Sequence, residues 1–86
     1  METPKRVLRV DQSLDGRNTE GPKAYAAAVE KLQSMAEDDV LELYLDEGEP
    51  LRTIPFALRA EGHEIVISET ANPGVRLLVR RRTLIP

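Results

Sequence analysis

The chain has 86 residues and a mass of 9.6 kDa, which allows one domain, residues 1–86, with a small core. Hydrophobic residues make up 41% and charged residues 31%, the balance of a folded globular chain rather than a disordered tail. The absence of cysteine, the single histidine (His63) and a net charge of -3 exclude a disulfide scaffold, a thiolate or multi-histidine metal site, an iron–sulfur cluster and thiol chemistry, and argue against nucleic acid as a partner.

Residues 6–11, RVLRVD, alternate, with Leu8 and Val10 on one face and Arg9 and Asp11 on the other, so a first strand is expected there. Residues 12–21 are polar and turn-rich and read as a loop. Pro22 suits the first position of a helix, where its missing N–H would be unpaired anyway. Tyr25, Ala28, Val29, Leu32, Met35 and Ala36 then recur at helical spacing, which predicts a helix over 22–37. In residues 40–46, VLELYLD, Leu41, Leu43 and Leu45 share one face of a second strand.

Leu51, Ile54, Ala57 and Leu58 mark a second helix over 50–61, with Pro55 implying a start or kink and Gly62 a stop. Residues 63–69 form a third strand with Ile65 and Ile67 inward. Ala71-Asn72-Pro73-Gly74 is a hairpin turn, and 75–82 is a fourth strand with Val75, Leu77 and Val79 inward. The order βαβαββ predicts a two-layer α/β sandwich (α+β): a four-stranded mixed sheet with both helices on one face and solvent on the other. No apolar run approaches the roughly 18–20 residues of a membrane span, and METPKRVLRV lacks a signal-peptide core, so a cytoplasmic location is expected.

The candidate sites each have a plain reading beside a functional one. Gly21-Pro22-Lys23 opens a helix, so Lys23 and Arg17 are candidates to hold an anion or a partner there; an ordinary helix start explains the same residues. His63 has no placed serine to activate and suits a residue covering the end of the second helix. Asp46, Glu47 and Glu49 lack the spacing of a calcium loop. Lys5, Arg6, Arg9, Arg76, Arg80, Arg81 and Arg82 gather the basic charge in strands one and four, whereas residues 37–64 are strongly acidic. On the open sheet face Arg9, Arg76, Arg80 and Arg82 would meet Glu42, Tyr44, Glu64 and Val66. That pattern fits a solvated, salt-bridged face, or a docking face for a partner built on Arg9, Tyr44, Arg76, Arg80 and Arg82.

This order and these residues resemble the small sulfur-carrier family called TusA or SirA-like. Leu14-Asp15 is similar to the opening of that family's loop of Asp, two residues, Gly, two residues and then Cys-Pro-x-Pro. Pro22 stands at the first proline, Arg52-Thr53-Ile54-Pro55 resembles the family's Arg-Asp-Ile-Pro, and Gly62-His63-Glu64 its Gly-His-Glu. The likeness runs over about residues 8–82. The chain departs from it at the cysteine position, which holds Gly21, at the second proline, which is Ala24, and at the loop glycine, which is Asn18.

The resemblance implies a carrier whose cysteine takes persulfide sulfur from a cysteine desulfurase and hands it on. Glycine has no sulfur to do so. The resulting expectation is a non-enzymatic member of the family, without metal or other cofactor, that binds another protein of a sulfur relay. The alternative is a small domain that binds RNA or an acidic partner through the basic strands one and four. The architecture also looks like the C-terminal domain of a bacterial translation initiation factor, which contacts RNA.

Overall fold

A computed structural model describes residues 9–82. The elements follow in the order β1 (Gln12–Asp15), α1 (Gly21–Gln33), β2 (Val40–Leu45), α2 (Glu49–Ala60), β3 (Glu64–Thr70) and β4 (Val75–Arg80). They build one four-stranded sheet in the order β1-β2-β4-β3, with β1 parallel to β2 and β4 antiparallel to both β2 and β3. Each helix is therefore a crossover between parallel strands, α1 from β1 to β2 and α2 from β2 over β4 to β3.

Leucine and valine do most of the packing. In the antiparallel pair, Leu41 lies opposite Val79, Leu43 opposite Leu77 and Leu45 opposite Val75, so three side chains from each strand point to one face. Ala24, Ala28 and Leu32 of α1 and Ile54 and Leu58 of α2 close over them in a single buried cluster, with Tyr25, Val29, Leu51 and Ile65 packed at its margin. Both helices thus cover the same side of the sheet, as the alternation of β2 and β4 predicted.

Three expectations are corrected. The first described strand is Gln12–Asp15, and residues 9–11 of the expected strand lie ahead of it. Pairing with β2 begins where the Asp11 N–H donates to the Val40 carbonyl and the Asp11 carboxylate accepts the Val40 N–H. Arg9 and Val10 precede the strand, Val10 is 39% exposed, and Leu14 supplies the inward side chain; Leu8, Lys5 and Arg6 lie outside the described residues. Second, α1 stops at Gln33 rather than at 37. The Ser34 hydroxyl donates to the Lys31 carbonyl, Asp38 turns left-handed with φ of 72°, and Met35 reaches the core from this turn. Third, a bulge shifts the register of β3 between Ile65 and Ile67. Ile65 stays opposite inward Val79, but Ile67 falls opposite Leu78 and so on the other face.

Helix α2 runs unbroken through Pro55 and ends at Ala60, before Gly62. Leu43 is fully buried in the central strand pair, and a smaller side chain there leaves a void that its sheet neighbours are too constrained to fill. Leu43→Ala should lower the unfolding free energy by about 2–5 kcal/mol in urea denaturation; a loss below about 0.5 kcal/mol would contradict this packing.

Candidate functional site

The loop from β1 to α1 is held by contacts from distant parts of the chain. Gly16 is buried; its N–H donates to the Tyr44 carbonyl at 2.8 Å, and a Cβ there would stand 3.1 Å from that oxygen and 3.3 Å from the Ala24 Cβ. Asn18 adopts φ of 61°, the left-handed region in which asparagine is the best tolerated residue after glycine. Its N–H donates to the Asp46 carboxylate at 2.8 Å. The loop thus takes a backbone shape that favours glycine, with asparagine as the side chain that adopts it.

Arg17 ties this loop to two further segments. Its backbone N–H and guanidinium donate to the Asp15 carboxylate, and its Nη1 donates to the Pro73 carbonyl at 2.9 Å. The guanidinium also lies 4.5 Å from the centre of the Tyr44 ring. The hydrogen bonds from Arg17 pull the Asp15 carboxyl down to about 2. Of the two candidate anion contacts, Arg17 is thus engaged within the fold. Lys23 is exposed and has no charged partner among the described residues.

Gly21 is the first residue of α1 and Pro22 the second, and no side chain caps the helix. A Cβ built on Gly21 meets nothing within 4 Å. Gly21 also lines a pocket of about 280 Å³ between the start of α1 and α2, with Pro22, Tyr25, Glu49, Thr53, Ile54 and Ala57. The Tyr25 hydroxyl donates to the Glu61 carboxylate, which fixes one wall and raises the tyrosine pKa. Among the described residues, no three His, Asp or Glu side chains gather as a metal site would need, and no helix is long and apolar enough to cross a membrane.

The open sheet face carries the predicted charge pairs. Arg76 lies opposite Tyr44, donates to Glu42 at 2.6 Å and to Glu69 at 2.7 Å, and with Ser13 holds the Glu42 carboxyl below its usual range. The Tyr44 hydroxyl donates to Glu42. Arg80 pairs with Glu64 at 3.3 Å, and Arg82 lies within 4 Å of Glu37, Asp38 and Glu64. Only Arg9 of the five docking candidates falls outside this network, ahead of β1.

His63 covers the end of α2 as expected, its N–H donating to the Leu58 carbonyl. Its Nδ1 accepts the Arg82 N–H at 3.1 Å, which assigns the proton to Nε2. Asp46, Glu49, Thr53 and the Pro73 carbonyl take part in the site, although the sequence pattern singled them out only for other roles. The 28 residues between Asn18 and Asp46 and the 56 between Arg17 and Pro73 put those contacts beyond any spacing rule.

The fold and this geometry define a small α/β domain with an uncapped helix N-terminus opening into a pocket. Residues 12–81 match the family model described as Sulfurtransferase TusA, which covers most of the 86 residues, and the chain belongs to that sulfur-carrier family. It does so without a cysteine.

Two variants test the site's scaffolding. Gly74 has φ of +90°, and a Cβ there would run into the Leu45 carbonyl. Gly74→Ala should therefore cost about 1–3 kcal/mol in thermal or urea unfolding, while Gly21→Ala should change stability far less. Burial holds the His63 pKa below its ordinary 6.5. The unfolded chain then takes up a proton before the folded one does, so His63 contributes stability that is present above about pH 6.5 and is lost as pH falls toward its folded pKa. His63→Gln should flatten stability between about pH 7 and pH 5; a slope equal to that of the native chain would assign the effect to other groups.

Proposed function

We propose that this chain is a non-catalytic, cytoplasmic protein-binding member of the sulfur-carrier family, one that keeps the family's docking frame and has lost its sulfur transfer. The observation that carries this reading is Gly21: the position where the family's loop ends and its first helix begins has the open space for a thiol but no side chain to supply one. Thiolate is the nucleophile that sulfur transfer requires, and a helix N-terminus is where its pKa is lowered. The loop that positions Gly21 is nevertheless built with care, through Gly16, left-handed Asn18 and the Asp46 carboxylate. The partner we assign is a protein of a sulfur relay. The basic sheet face supports an RNA-binding reading less well, because Arg76, Arg80 and Arg82 already have carboxylate neighbours.

The test uses a cysteine desulfurase with cysteine as sulfur donor. The native chain should gain no reductant-sensitive mass. Gly21→Cys should gain the mass of sulfur and lose it to a thiol reductant. The native chain should also slow sulfur uptake by a cysteine-bearing family member by competing for the same donor surface. A folded Gly21→Cys that stays unmodified, together with an absence of competition, would remove the sulfur relay from this reading.

A further inference from the structure

The charges and apolar surface that the fold leaves unmatched are concentrated on one side of α2. Phe56 is 74% exposed, the largest apolar exposure among the described residues. Arg52 and Arg59 stand four residues before and three after it, so the three share one helix face. Both arginines are exposed and make no ion pair or hydrogen bond through their side chains with any described residue, in contrast to Arg76 and Arg80 of the sheet. Thr53 and Ala57, which flank Phe56 on the same helix, form a wall of the pocket beside Gly21. The pocket's one charged lining residue, Glu49, also lacks a charged partner.

A protruding aromatic ring and a pocket able to receive one therefore sit side by side. An enclosed apolar cavity of ~150 Å³ is enough to hold benzene, and this open pocket measures about 280 Å³. When a surface carries both halves of a complementary contact, a two-fold axis satisfies both at once and closes the assembly at two copies. In an antiparallel pair of α2 helices, seating Phe56 of one copy over Thr53 of the other carries Arg59, one turn on, to the first turn of the opposite helix, where Glu49 lies. The charges on the two sides of that contact are opposite, and the axis repeats the pair.

We propose that two copies of this chain associate through α2, each inserting Phe56 into the other's pocket beside Gly21. This rests on the reading of the Gly21 pocket as a binding rather than a sulfur-carrying site, and it names the occupant of that pocket. Gly21 lines that pocket, so a large side chain there competes with the ring for the space.

The experiment is sedimentation of the 86-residue chain over a concentration series, with its variants. The weight-average mass of the native chain should rise with concentration from 9.6 kDa toward twice that value. Phe56→Ser removes the ring from an exposed position, and Gly21→Leu fills the pocket from open space. Each should weaken association at least ~10-fold with the fold intact by circular dichroism. Arg59→Glu should weaken it as well, and adding Glu49→Arg should restore part of the loss. A native chain that keeps the mass of one copy up to ~1 mM overturns the proposal and leaves Phe56 to a partner other than this chain. A dimer indifferent to Phe56→Ser overturns it too. Neither result bears on the sulfur-uptake test, which reads added mass on Gly21→Cys.

Discussion

The antiparallel pairing of β2 with β4 is the constraint on which the rest of the molecule depends. It joins the two strands whose inward side chains, Leu41, Leu43 and Leu45 against Val79, Leu77 and Val75, make the floor of the core. It also brings the end of β2 beside the turn that starts β4. Gly74 can approach the Leu45 carbonyl only because it lacks a Cβ, and that approach places the Pro73 carbonyl where Arg17 reaches it. Asp46 follows directly on Leu45 and accepts the Asn18 N–H. The loop before α1 is thus hung from the end of the central strand pair, and the direction in which α1 leaves the sheet follows from there.

The parts of the fold that could be read from sequence are those in which the local pattern and the tertiary contact agree. In β2 the alternation of leucine with Glu42 and Tyr44 states which side is buried, and the core confirms it residue by residue. Two of the three corrections, those to β1 and β3, have the same cause in opposite directions. Residues 6–11 alternate more strongly than QSLD, yet β1 is the latter, because its place is set by the pairing of Asp11 and Gln12 with Val40 and Leu41 rather than by hydrophobicity. Ile67 keeps the apolar alternation of β3, yet the bulge after Ile65 turns it to the open face, and nothing in HEIVISE marks the inserted residue. At the site, the start of α1 was legible from Gly21-Pro22. Its supports were not, since Arg17, Asp46 and Tyr44 meet only after the sheet has formed.

The distribution of charge divides the surface into two regimes. On the sheet side Ser13, Glu42, Arg76 and Glu69 form one connected set of hydrogen bonds, and Arg80, Arg81 and Arg82 approach Glu64, Glu37 and Asp38. Pairs of this kind at a surface add little stability singly, but they leave the face electrically quiet at short range. Leu78 is buried on that same face, between Arg76 and Arg80 along β4 and opposite Glu42 and Ile67. On the helix side Arg52 and Arg59 have no such neighbours among the described residues. A basic cluster in the sequence therefore did not foretell a basic surface; the isolated arginines, fewer and less conspicuous, are the ones left facing outward.

The chain belongs to a sulfur-carrier family and has no cysteine. The features that hold the start of α1 are the close approach of Gly16, the left-handed Asn18, the Asp46 acceptor and the Arg17 staple, and none of them touches a side chain at position 21. The converse holds as well, because a Cβ on Gly21 would meet nothing. The sheet, the loop and the helix start are thus held without any side chain at position 21. The gap between α1 and α2, lined by Tyr25, Thr53, Ile54 and Ala57 with Gly21 and Pro22 at the start of α1, is a concave and largely apolar surface.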